Sequence, residues 1–131
     1  MKIQLSQVST CASEATLRTH RVLIDRPNDK GGTDRGPMGG ELFLASIGGC
    51  FMSTLLAAIR ARNADVSDVR TEVVGTIAEA PARFSSVELN IEAKGSSEEI
   101  ERLVAIADKG CIMMNTLRGV LDVRIRTGAA V

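Results

Sequence analysis

From Glu41 to about Arg62 the chain reads ELFLASIGGCFMSTLLAAIRAR, with no charged residue between Glu41 and Arg60. Leu, Phe, Ile, Met and Ala occupy every face at helical spacing, which predicts a helix buried all round. The uncharged run touches the lower limit of roughly 17–25 residues for a membrane span. Ser46, Gly48, Gly49, Ser53 and Thr54 dilute it, however, and no second span follows. The reading is the central helix of a soluble protein with no membrane role.

The rest of the chain must cover that helix. At 131 residues with 44% hydrophobic side chains, it has room for one domain, residues 1–131. Lys2 to Ser9 and Glu14 to Ile24 suggest an N-terminal hairpin. Asp25 to Gly40, DRPNDKGGTDRGPMGG, reads as a loop. Val69 to Ile77 and Phe84 to Ala93 read as strands, the second with Val87, Leu89, Ile91 and Ala93 on one side. Ser96 with Glu99 is a capping-box pattern opening an amphipathic helix through Ile100, Leu103, Val104 and Ala107. Gly110 interrupts it, CIMMNTLRG resumes it, and Leu121, Val123 and Ile125 mark a final strand.

This order predicts an α+β fold with antiparallel sheets. A helix of about twenty residues is roughly 30 Å long, and the one-sided strands of one chain cover only part of its circumference. The expectation is therefore an obligate homodimer with the Leu42 to Ile59 helices at its centre.

Several functions are disfavoured. Sixteen Lys plus Arg balance sixteen Asp plus Glu, and Phe43, Phe51 and Phe84 are the only aromatic side chains of the Phe, Trp and Tyr class. Nucleic acid wants a basic excess and stacking platforms. The N-terminus has no apolar stretch of signal-peptide length, so the expected location is the cytoplasm. The glycines of KGGTDRG are turn residues, since no GK followed by Ser or Thr opens a helix. His20, the single histidine, reads as a surface residue, and no metal site is readable.

Cys11, Cys50 and Cys111 are too few and too far apart for a disulfide framework or a zinc site. Cys50 sits in the middle of the apolar helix beside two glycines. A small hydrophobe in the core is the plainer reading of it. Cys111 follows Gly110, and helix-end N–H groups there would stabilise a thiolate. Cys11 reads as a bystander.

The run GGTDRGPMGGELFLASIGGCFMSTLLAA resembles the signature of OsmC-like and organic hydroperoxide resistance proteins, and GCIMMNTL resembles that family's second cysteine motif. The resemblance implies an intertwined homodimer: two long central helices enclosed by sheets from both chains, with two sites at the interface. It further implies a thiol-dependent hydroperoxide reductase without a bound cofactor. Cys50 would attack the peroxide, Cys111 would resolve the sulfenic acid to a disulfide, and an external dithiol would restore both. The alternative is a binding or sulfur/acyl carrier protein of the same fold with an apolar interface pocket.

Members of the family activate the first cysteine with an arginine of the N-terminal hairpin and a glutamate ten residues upstream of it. Position 40 here is Gly40, leaving Glu41 as the nearest carboxylate, on a face roughly opposite Cys50. Arg18, Arg21 or Arg26 would have to supply the cation. Gly49, Phe51, Met113 and Met114 are the expected pocket residues, the two methionines suiting an apolar hydroperoxide or another hydrophobic ligand.

Overall fold

The computed structural model describes residues 1–129. Two compact units divide them, Met1–Phe43 and the residues from Leu44 onward.

The first unit carries a three-stranded antiparallel sheet, β1 (Gln4–Gln7), β2 (Ser13–Leu17) and β3 (His20–Ile24), in that order. The stretch Glu14–Ile24 is thus two strands, not one arm of a hairpin. The chain reverses at Arg18, whose φ is 59°, and Leu17 pairs directly with His20. Arg18–Thr19 lacks the Gly or Asn that usually marks so tight a turn, which hid it from the sequence.

The following loop is organised by Asp25, a carboxylate only 2% exposed. It accepts hydrogen bonds from the N–H of Arg26 (2.8 Å), Thr33 (3.1 Å) and Arg35 (3.2 Å), and from Thr33 Oγ1 (2.6 Å). Four donors substitute for lost water, the condition under which a buried charge is tolerated. The Thr33 hydroxyl leads in holding its pKa far below the usual carboxylate range, against the opposing effect of burial.

The helix α1 spans Gly39–Arg62, two residues earlier than expected, and runs from the first unit into the second. Within this one chain it is not buried all round. Ile47, Gly48, Phe51, Leu55 and Ala58 are buried at three- and four-residue intervals, whereas Ala45, Gly49, Ser53, Leu56 and Ala57 are exposed, Leu56 by 45%. One three-stranded sheet covers one side of a cylinder, and the opposite apolar side is left open.

That sheet is β4 (Ser67–Ala78), β5 (Arg83–Lys94) and β6 (Asp122–Ala129), with β5 central. Val87, Leu89, Ile91 and Ala93 of β5 are all at most 1% exposed. Each large aliphatic side chain so buried stabilises the fold by roughly 1.5–3 kcal/mol. Gly48 lets the helix lie directly on β4, since a Cβ there would come within 2.6 Å of Val73 Cγ2.

The sheet is mixed, which corrects the antiparallel expectation. β4 pairs antiparallel with β5, but β6 pairs parallel with it, Val87 opposite Val123 and Leu89 opposite Ile125. The connection between β5 and β6 is long enough to return the chain to the same end, as a parallel pair requires. It consists of α2 (Ser97–Gly110) and α3 (Ile112–Leu117), with α2 packed on β6 and on α3. Ser96 caps α2 by accepting the Glu99 N–H at 3.3 Å, while the Glu99 carboxylate bonds Arg102 at 2.8 Å.

Candidate active site: a thiol pair between two helices

α1 places Cys50 between Ile47 and Phe51, at the edge of the buried stripe and partly exposed. One turn on, Thr54 Oγ1 donates to the Cys50 carbonyl at 3.0 Å. α2 ends on Gly110, where a Cβ would stand 3.3 Å from Thr54 Cγ2, so the absent side chain lets this junction lie against α1. Cys111 is the single extended residue (φ −81°, ψ 120°) between α2 and α3, and its carbonyl accepts the Asn115 N–H at 3.0 Å.

The result is that Cys111 Sγ lies 3.5 Å from Cys50 Sγ, both thiols free. Cys111 has no exposed surface. A disulfide sulfur pair is about 2.05 Å apart, so about 1.5 Å of side-chain travel would join them. Burial, the strongest influence, pushes the Cys111 thiol up from its ordinary value. The N–H groups of Met114 and Met113 pull the other way, and the neighbouring Cys50 adds a further rise. The expected helix-end stabilisation of a Cys111 thiolate is therefore present but outweighed by burial.

The expected supporting residues belong to the first unit, whereas both thiols belong to the second. Arg18 forms the β2–β3 turn, and exposed Arg21 pairs with Glu14 at 3.3 Å. Arg26 lines a cavity of about 710 Å³ within the first unit, together with Cys11, Asp25 and Lys30. Glu41 Oε2 accepts the Met38 N–H at 2.7 Å and so closes the start of α1. Its carboxylate serves the helix N-terminus.

The four expected pocket residues differ in burial. Phe51 is core with no exposed surface, Gly49 faces open space, and Met113 is half-buried. Met114 lines a cavity of about 350 Å³ with Arg118, Leu121, Val123 and Ile125, under an Arg118–Asp108 ion pair of 2.6 Å. Thr54 was not foreseen, although its place one turn beyond Cys50 was a readable signal. Among the described residues, no cluster of three or more His, Cys, Asp or Glu side chains is placed to hold a metal ion.

The family model described as OsmC-like protein matches residues 31–126, which include both cysteines. The chain belongs to the OsmC-like family. Among solved structures, this OsmC-like chain is similar to an OsmC-like protein from Mycoplasma pneumoniae, with a TM-score of 0.86 at 18% identity over 99% of this chain and 96% of that one. It is also similar to an organic hydroperoxide resistance protein from Elizabethkingia anophelis, with a TM-score of 0.79 at 20% identity, covering 99% and 97%. The organic hydroperoxide resistance protein OhrB of Bacillus subtilis follows at 0.70 and 22%, covering 97% and 96%. At these identities the likeness is one of fold, and it extends over nearly the whole of each chain. No curated protein matches the chain.

Proposed function

We propose that this OsmC-like protein is a thiol-dependent hydroperoxide reductase of the cytoplasm, acting on organic peroxides as a homodimer. The observation that carries the reading is the 3.5 Å separation of Cys50 and Cys111 across sixty-one positions of sequence. The difference in exposure supports the division of labour: Cys50 is the thiol a solvent-borne peroxide can reach, and Cys111 is sealed behind it.

The Cys50 thiolate attacks the distal peroxide oxygen. An S–O bond forms, the O–O bond breaks, and the alkoxide leaves and takes a proton as the alcohol. The Cys111 thiolate then attacks Cys50 Sγ, the S–S bond forms, and hydroxide leaves and is protonated to water. A dithiol returns both cysteines to thiols and is itself oxidised to a disulfide. The open side of α1 (Ala45, Gly49, Ser53, Leu56, Ala57) supports the dimer, since a second copy would bury it.

Intact-mass spectrometry after one equivalent of cumene hydroperoxide tests the reading. Formation of the Cys50–Cys111 disulfide within seconds, faster than with hydrogen peroxide, is expected. Thiols that stay reduced for many minutes would overturn it in favour of a binding or carrier protein on the same fold.

A further inference from the structure

We infer that the oxidised pair is reduced from one side only: an incoming thiolate attacks Cys50 Sγ, and Cys111 is the leaving group. The inference rests on the proposed redox cycling of the pair and extends it to the half of the cycle that restores the thiols.

Cys111 is enclosed entirely by its own chain, at the junction of α2 and α3 and under the close contact of Gly110 with Thr54. Association with a second copy or any partner can only bury it further. Within the single chain Cys50 is partly exposed, at the edge of the buried stripe of α1 and 3.5 Å from Cys111. Thiol–disulfide exchange requires direct contact of the attacking sulfur with one sulfur of the pair, so access selects which one.

The reductant thiolate bonds to Cys50 Sγ, and the Cys50–Cys111 bond breaks with its electron pair on Cys111 Sγ. That thiolate takes up a proton, while the reductant remains as a mixed disulfide on Cys50. The Met113 and Met114 N–H groups at the start of α3 are placed to receive the departing charge. A second thiol then releases Cys50. Burial raises the Cys111 pKa, and a less acidic thiol leaves more slowly. Access therefore sets the site of attack, and the leaving group limits its rate.

The test uses the full chain with its disulfide made by diamide, so that no peroxide activity is required. Brief exposure to excess 2-mercaptoethanol, acid quenching and N-ethylmaleimide labelling under denaturing conditions give a peptide map. Mercaptoethanol on Cys50 should exceed that on Cys111 by at least about tenfold, the direction set by access. Equal or reversed labelling overturns the inference, as does failure of diamide to join the two cysteines.

If Cys111 expels the adduct before quenching, exchange of hydroxyethyl disulfide with the single-thiol variants Cys111→Ala and Cys50→Ala decides. The Cys50 thiol must exchange at least about tenfold faster, and equal rates overturn the inference. Selective labelling without turnover of cumene hydroperoxide would overturn the peroxidase reading alone.

Discussion

A Cβ on Gly110 would stand 3.3 Å from Thr54 Cγ2, so the junction that carries Cys111 packs closely on α1 one turn beyond Cys50. Gly110→Val adds two further methyl groups there. It should destabilise the fold by about 1–3 kcal/mol in urea titration. If Gly110 sets the sulfur separation, disulfide closure should slow by about tenfold while Cys50 sulfenic acid forms at its former rate, a one-step kinetic penalty of about 1.4 kcal/mol. Equal slowing of both steps would show that the contact is only structural.

Gly48 and Gly49 are neighbours in sequence with opposite demands. A Cβ on Gly48 would overlap Val73, so Gly48→Ala should cost about 1–3 kcal/mol through overpacking. Nothing lies within 4 Å of a Cβ on Gly49 in the same chain. Gly49→Leu therefore leaves the packing of α1 on β4 untouched and tests the open face: sedimentation should show loss of the proposed dimer. A Gly49→Leu variant that sediments as an intact dimer would remove that face from the interface.

The elements were legible wherever one face meets the core. Alternation marked β5 through Val87, Leu89, Ile91 and Ala93, and Ser96 marked the start of α2. The parallel pairing of β6 was not legible, because a strand with Leu121, Val123 and Ile125 on one side reads the same in either direction. The thiol pair was legible only through the family resemblance. Sixty-one positions separate the two cysteines, and no local pattern shows that Gly110 draws α2 onto Thr54. The role of Asp25 is not legible in the sequence, because its partners Thr33 and Arg35 lie eight and ten residues away in a loop without periodicity.

Asp25 gives a pH signature. Its folded pKa lies well below its unfolded value of about 4, with the Thr33 hydroxyl the leading cause. A depressed carboxylate contributes stability that is fully present above the unfolded pKa and is lost as pH falls towards the folded one. The stability difference between the wild-type protein and Asp25→Asn, measured by urea titration, should be constant above about pH 5 and shrink below about pH 4. A difference that persists unchanged to pH 3 would mean that the loop does not depend on the ionised carboxylate.

Cys111 should impose the reverse trend on kinetics. Its thiol is pushed up from an ordinary value of 9.0, chiefly by burial, so little of it is thiolate at neutral pH. Resolution requires that thiolate to attack Cys50. The rate of disulfide formation from pre-formed Cys50 sulfenic acid should therefore rise close to tenfold per pH unit through neutrality, without a plateau below 9.0. Stopped-flow acid quenching with mass detection would read that step apart from the peroxide step. A plateau near pH 7 would mean that the Met113 and Met114 N–H groups outweigh burial once Cys50 is oxidised, and that Cys111 is poised as a thiolate when it is needed.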